Sequence, residues 1–505
     1  MQHWKPWLAL LVLIGLSVVI NLHLMQDYPH RTVLSDERAY VAQAGRHAKD
    51  PWTTLLPGNL EFSRRPPLFG HVLSRVAPRH VDIGTWADFN KVSRKTAARQ
   101  LYLQQARKMH IVFHAVLCVL LFLQARVLGL SILAALVAPL LLTILPRHLF
   151  HIHGMWSELL HMVLQAAGMT ALIYAIRRRL LVWLALPAGI AYGFAVLTRT
   201  TSLFFIPFAP ILFIAASYIR NKEGRMQERT MQGLAMSFLF LFSFLAVLTP
   251  QVYRNIDRGL GPRIAANNWL NVRQALQPRA NDGADYQANW RLASQAKSER
   301  AAQFKRGEVQ QELQARAQVM DFVDRQGFWS LVPRQIGKAW RVLSKGDSQF
   351  KEALTMWVFG PDRARELRPF ADFDYLMWYT LVLTGLLGLL FMCVRTLWLQ
   401  SGSGWLLIGA YVGYYLVALC GAPNSARMAY QLAPFLCMGT AALFWLSFVV
   451  PFQMVVEASE RRMAALRQQA AAQQSPPTPE PEPPAAQPGA ADDGASPEGQ
   501  GEGSG

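Results

Sequence analysis

The chain has 505 residues, of which 52% are hydrophobic, 11% aromatic and only 16% charged. Soluble domains carry about 25% charged residues, so this balance excludes an ordinary soluble protein and points to a membrane protein. The formal net charge is +18, from 50 Lys+Arg against 32 Asp+Glu, but the basic residues stand at the ends of apolar runs and in two long polar loops. No nucleic-acid motif is visible, so the expected partners are membrane lipids and phosphate-bearing substrates, not nucleic acid.

The first apolar run, Trp7 to Leu22, is followed by His23-Leu24-Met25-Gln26. No small-residue cleavage site follows it, so it reads as an uncleaved anchor. Beyond it comes Ser35-Asp36-Glu37-Arg38-Ala39-Tyr40. Ionisable groups tied to a membrane span are costly to desolvate and point to function; a solvated start to a loop is the plain alternative. From Gln26 to His110 the chain is polar. Within it, Lys91, Arg94, Lys95, Arg99, Arg107 and Lys108 predict an interfacial helix along the headgroups. The same loop holds Glu61-Phe62-Ser63-Arg64-Arg65-Pro66-Pro67-Leu68.

Apolar windows fall near 7–24, 110–127, 129–146, 155–175, 179–197, 201–219, 233–251, 375–395, 404–421 and 430–451. They predict about ten spans. With the N-terminus inside, Arg177-Arg178-Arg179 and the loop from Arg220 to Arg229 lie in the cytoplasm, as short basic loops tend to. The same parity places three segments outside: the loop with Asp36, the loop Pro146 to Trp156, and the long loop from Gln251 to about Asp374. Cys118, Cys393, Cys420 and Cys437 lie in or beside apolar stretches without CxxC spacing, which predicts structural burial. From Gln468 onward the Gln, Ala, Pro, Glu and Gly composition predicts a disordered tail.

His148, His151 and His153 form His-x-x-His-x-His beside Glu158. Imidazoles with a carboxylate suit zinc or manganese. The same spacing also occurs at interfaces without metal, and His151 or Glu158 could instead hold an acceptor.

Further short motifs follow in order. Trp156-Ser157-Glu158-Leu159-Leu160 opens the fourth span, and Leu197-Thr198-Arg199 precedes another. Thr249-Pro250-Gln251-Val252-Tyr253-Arg254-Asn255 leaves a later one, followed by Ala266-Asn267-Asn268-Trp269-Leu270-Asn271. The stretch Glu312 to Trp340 carries Arg316, Ala317, Phe322, Pro333 and Lys338, and Arg427-Met428-Ala429-Tyr430-Gln431-Leu432-Ala433-Pro434 precedes the last span.

With the acidic pair and Arg65-Pro66-Pro67-Leu68, this series resembles the GT-C glycosyltransferases. The branch it resembles is shared by protein O-mannosyltransferases and the lipid A aminoarabinose transferase. The series runs from about residue 1 to 450; one departure is Thr200, where the group has proline. The resemblance implies an all-α integral membrane protein of GT-C architecture with about ten transmembrane helices. Its outer loops would include the interfacial helix and a mostly helical long loop. A core module over 1–250 would hold a catalytic first outer loop over 25–109. An extracytoplasmic region over 251–374 and C-terminal transmembrane helices over 375–451 would follow, then a cytoplasmic tail over 452–505.

The activity implied is transfer of a hexosyl or pentosyl group from a polyprenyl-phosphate donor to an extracytoplasmic acceptor at the bacterial inner membrane. The acceptor is a hydroxyl or phosphate on a lipid, glycan or protein. The departing phosphate already bears charge and needs no strong acid, so the remaining task is to deprotonate or orient the acceptor. A carboxylate at ~3 Å does this. Asp36 is the implied base, with Glu37 beside it in a positioning role, and direct attack inverts the anomeric centre. Arg65, Arg254 and Arg427 are the donor-phosphate candidates, since guanidinium makes bidentate contacts that Lys does not. Arg38, Tyr40, Glu158, Asn255 and Tyr430 are implied in acceptor holding or positioning. Arg254 and Asn255 also fit a plain role bracing the long loop. No cofactor is required; a divalent metal (Mg, Mn or Zn) would fall to His148, His151, His153 and Glu158.

The soluble domain of oligosaccharyltransferases and the three-repeat β domain of eukaryotic mannosyltransferases have no counterpart in these residues, so neither family's acceptor carries over. An O-antigen ligase or polymerase is the alternative enzyme, but such enzymes centre on a late loop and lack the acidic pair. A lipid or glycan transporter is the non-enzymatic alternative, and no repeat between the two halves supports it.

Overall fold

A computed structural model of the chain describes residues 5–27, 40–41, 43–44, 66–76, 97–177, 179–220, 226–257, 261–262, 264–265, 268–278, 283–296, 308–345, 361–399, 403–421 and 426–474. Asp36, Glu37, Arg38, Arg65 and the Arg427 side chain lie outside what is described. Among the described residues the regular structure is helical throughout. It begins with α1 (Lys5–Asp27), α2 (Leu68–Val76), α3 (Ala97–Val127), α4 (Ile132–Ile144) and α5 (Pro146–His153). Then come α6 (Glu158–Arg177), α7 (Ala185–Thr198), α8 (Ala209–Arg220) and α9 (Met226–Asp257). The long polar loop holds α10 (Asn268–Leu276), α11 (Ala284–Ala293), α12 (Glu308–Gln326) and α13 (Phe328–Lys345). After it come α14 (Pro361–Leu399), α15 (Gly404–Gly421), α16 (Ala426–Tyr430), α17 (Ala433–Phe444) and α18 (Val450–Gln474).

Among the described residues eight helices are long and apolar enough to cross a membrane, and up to nine if α4 and α5 form one bent span; the helix over Gly404–Cys420 is apolar but shorter. The protein is an integral membrane protein. All ten predicted windows land on helix, but the one at 404–421 is a short helix and the one at 129–146 is bent. The window at 129–146 becomes α4, after which the chain turns by 62° into α5. The reason is Pro146, which disfavours helical backbone at the residue before it; Leu145 is extended at ψ 113. Upstream, Gly129 at φ 93 stops α3, and the Leu130 amide donates to the Ala125 carbonyl at 3.0 Å. That is a Schellman-type end, which needs a left-handed residue.

The basic stretch read as an interfacial helix is different in part. From Ala97 the chain is helical and continues into the span Leu101–Val127. Arg107 is buried instead of lying along headgroups, because it finds partners inside the bundle. Residues 91–96 lie outside the described residues. All four cysteines are free, with Cys118 and Cys437 buried and Cys393 and Cys420 half-buried.

The long loop folds on itself. Leu276, Tyr286, Ala293, Val319, Phe322 and Leu331 form its own apolar cluster. Glu312, from the stretch singled out in the sequence, accepts from the Trp269 and Leu270 amides at 2.9 and 3.2 Å. Its carboxylate thus satisfies two donors left open at the start of α10.

Pro451–Gly505 forms a second compact unit, separate from Met1–Val450. Helix there continues to Gln474, beyond the Gln468 at which a disordered tail is expected. The run Met463 to Gln474 is rich in Ala and Gln and free of Pro and Gly, so helical propensity carries it on.

Helices α14 and α17 pack at backbone contact. A Cβ on Gly388 would collide with the Gly439 carbonyl, and one on Gly385 with the Leu436 carbonyl at 2.6 Å. Small residues permit such close approach in membranes. Gly388→Ala is therefore expected to cost about 1–3 kcal/mol by overpacking. Gly413, with nothing within 4 Å of an added Cβ, is the control. Thermal melts in detergent should drop for Gly388→Ala and hold for Gly413→Ala.

Candidate functional site

The site begins at Tyr40, the last residue of the first-loop motif. Its ring is buried and sits edge-on to Phe69, with centroids 4.9 Å apart. Its hydroxyl meets Ser157 Oγ at 2.8 Å. Ser157 immediately precedes Glu158, which opens α6, and a carboxylate is favoured at that end by the helix dipole. Glu158 is fully buried and pairs with Arg199, Nη1 to Oε1 at 2.7 Å. Arg199 sits in an extended break, φ −152 and ψ 131, between α7 and the tight helical segment Thr200–Phe208. Its Nη1 also donates to Ser157 Oγ at 3.3 Å, while Nη2 approaches Met428 Sδ at 3.3 Å. Thr201 and Tyr415 both donate to Gln431 Oε1, at 3.1 and 2.5 Å. The motif before the last span is thereby joined to Glu158 through Arg199.

The described residues on either side of the first-loop motifs reach this place. Tyr40 before it, and Phe69 and Leu73 on α2 after Arg65-Pro66-Pro67, share one apolar cluster with Tyr102, Met155 and Leu160. Met155 and Leu160 bracket Glu158. The helix α2 approaches the Tyr40 segment so closely that a Cβ on Gly70 would meet the Gln43 side chain at 2.5 Å. On the same helix burial, and then Arg75, lowers the His71 pKa below its ordinary value.

Tyr430 stands on the other side. Its hydroxyl lies 2.5 Å from His148 Nδ1, and its ring stacks on His151 at 3.7 Å. The chain of contacts continues from His148 Nε2 to His114 Nδ1 at 2.7 Å and from His114 Nε2 to Ser17 Oγ at 2.7 Å. Next to it, the Arg147 guanidinium grips Asp374 from Nε and Nη2 at 3.2 and 3.0 Å and lies over Trp378, 4.2 Å from the ring. That pair fixes the start of α5 to α14.

The four residues named for a metal do not converge in this arrangement. Among the described residues no group of three His, Cys, Asp or Glu stands so as to hold a metal. His148 faces His114 and Tyr430, and His151 Nδ1 donates to the Arg147 carbonyl at 2.8 Å. His153 Nδ1 accepts from Arg107 Nε at 3.0 Å, and Glu158 faces Arg199. The 3.6-residue helical repeat sends the three imidazoles of α5 to separate partners.

Asn255 and Gln251 both donate to the Ile264 carbonyl at 3.1 Å. That is the bracing geometry of the plain reading for Asn255. Arg254 is buried on α9.

Several members escape sequence reasoning. Arg199 lies in the Leu197-Thr198-Arg199 motif, but nothing in the sequence names it as the cation of Glu158. Ser157 lies inside a quoted motif, but nothing in the sequence pairs it with Tyr40. Arg147 with Asp374, Arg107 with His153, and His114 have no local signature; a charged or imidazole residue within an apolar run is the one available signal.

No family model matches the sequence, and no curated protein matches it. The fold does have counterparts. The Archaeoglobus fulgidus oligosaccharyltransferase in its apo form superposes with a TM-score of 0.51 at 12% identity, over 92% of this chain and 52% of that one. The chain spans about half the length of that structure, and the likeness gives this protein a GT-C fold. It is also similar to the S. cerevisiae protein O-mannosyltransferase Pmt1-Pmt2 complex bound to the sugar donor, with a TM-score of 0.39 at 16% identity over 50% and 34% of the chains. A third likeness is ArnT from Cupriavidus metallidurans bound to undecaprenyl phosphate, with a TM-score of 0.34 at 13% identity over 84% and 78%.

Proposed function

We propose that this membrane protein of GT-C fold is a glycosyltransferase, moving a sugar from a polyprenyl phosphate to an extracytoplasmic hydroxyl or phosphate with inversion. The observation that carries the reading is the Tyr40–Ser157 hydrogen bond at 2.8 Å beside the Glu158–Arg199 pair. It ties the end of the acidic first-loop motif to the motif that carries Glu158. Four residues reach at most about 14 Å, so the covalent chain keeps Asp36 within that distance of Tyr40. Asp36 acts as base on the acceptor, with Glu37 and Arg38 beside it. Glu158, held by Arg199, is a positioning residue, as are Tyr40 and Tyr430. Arg65, Arg254 and Arg427 supply the cations for the donor phosphate, Arg427 from α16, whose Met428 already touches Arg199. No step is routed through a metal.

The donor assignment has a direct test. Thermal stabilisation in detergent by a polyprenyl-phosphate sugar should be clear for wild type and lost in the Arg65→Ala, Arg427→Ala double variant. Equal stabilisation of both would place the phosphate elsewhere.

The site faces the extracytoplasmic side of a bacterial inner membrane in this reading, because the short basic loops fall at the opposite end. Cysteines introduced at Gln100 and Asn281 should label from outside intact cells, and one at Ala485 should not. Reversed labelling at Asn281 breaks the topology.

A further inference from the structure

Helix α13 carries two apolar faces, and only one is used inside the protein. Ala339, Val342 and Leu343 are buried in the main core, and Leu331 joins the cluster of the long loop. On another face, Trp329, Pro333, Ile336 and Trp340 recur at the 4-3-4 spacing of a single helical stripe. These are exposed: Trp329 by 80%, Ile336 by 57% and Trp340 by 49%, with Phe328 beside them at 59%. Two tryptophans and an isoleucine along one open face are too much apolar surface for a loop helix in water.

Two contacts fix the helix at the level of the span ends. Trp378, near the start of the span Asp372–Leu399, donates its indole N–H to the Leu343 carbonyl at 2.7 Å. Lys338 Nζ donates to the carbonyl of Cys420, in the last turn of α15, at 3.4 Å. Charge points the same way. The helix bears Arg334, Lys338, Arg341 and Lys345 and no acidic residue. Arg334 and Lys338 are engaged within the protein, whereas Arg341 is exposed.

We propose that α13 is a lipid-docking helix. Its Trp329–Ile336–Trp340 stripe lies in the headgroup boundary of the bilayer, and Arg341 faces anionic headgroups. Amphipathic helices with tryptophan on one face and basic residues beside it bind the membrane boundary this way. Docking would hold the long loop down on the membrane independently of what the site transfers.

The test uses the full chain in nanodiscs of equimolar phosphatidylcholine and phosphatidylglycerol. A benzoylphenylalanine photo-crosslinker replaces Trp329 or Trp340, and Ser294, exposed elsewhere on the long loop, for control. Mass spectrometry should find lipid adducts at both tryptophan positions, with phosphatidylglycerol in excess, and none at Ser294. Arg341→Glu should remove the excess while adducts persist. Protein–protein adducts would show that a second copy covers the stripe and overturn the proposal, as would labels that capture no lipid. An unchanged phosphatidylglycerol excess in Arg341→Glu overturns the assignment of the anionic contact.

Discussion

Asp36→Asn is expected to lower turnover by about 10²- to 10⁴-fold, the range one positioned general base contributes. The amide keeps the size and much of the hydrogen-bonding shape of the carboxylate but cannot accept the acceptor's proton. The donor phosphate leaves without protonation in this scheme, so donor binding should be unchanged. The prediction is therefore a fall in kcat with thermal stabilisation by the polyprenyl-phosphate sugar preserved. Activity near wild type would remove Asp36 from the chemistry.

Arg199→Ala should be the most damaging change to the folded site. It takes the guanidinium from a fully buried carboxylate that it meets at 2.7 Å. Removing one partner of a buried pair costs about 3–5 kcal/mol, because the remaining charge stays in a poor dielectric. It also loses the contacts to Ser157 and Met428. Adding Glu158→Gln removes the buried charge, so the double variant should recover most of the lost stability. Arg199→Lys keeps the charge without the planar fork and should fall between them. Detergent unfolding of the four proteins checks this. An Arg199→Ala variant as stable as wild type would mean that the pair does not hold the site together.

The spans were legible because a bilayer demands long apolar runs, and each predicted window is a helix. The bend at Leu145 was less so: Pro146 gives a local reason for a break, but not the 62° that follows. Glu158 was legible from its motif, whereas its partner was not, since Arg199 lies a whole pair of helices away. Arg147 and Asp374 are 227 residues apart, and only packing of α5 against α14 brings them together. The histidines were ambiguous for a related reason. Their spacing suits a metal in sequence, while the helix directs each imidazole to a different neighbour. The α13 stripe is hard to read in the sequence because exposed Trp329, Ile336 and Trp340 are interleaved with the apolar residues of the buried face, Leu331, Ala339 and Val342.

The central claim is that the chain transfers a sugar from a lipid-linked donor through its first outer loop. Mass spectrometry of envelope lipids, glycans and secreted glycoproteins tests it in a deletion strain complemented by wild type or Asp36→Asn. The account predicts a sugar-bearing component that disappears on deletion, returns with wild type and stays absent with Asp36→Asn, while the polyprenyl-phosphate sugar accumulates. Identical profiles in all strains, or full restoration by Asp36→Asn, would contradict it.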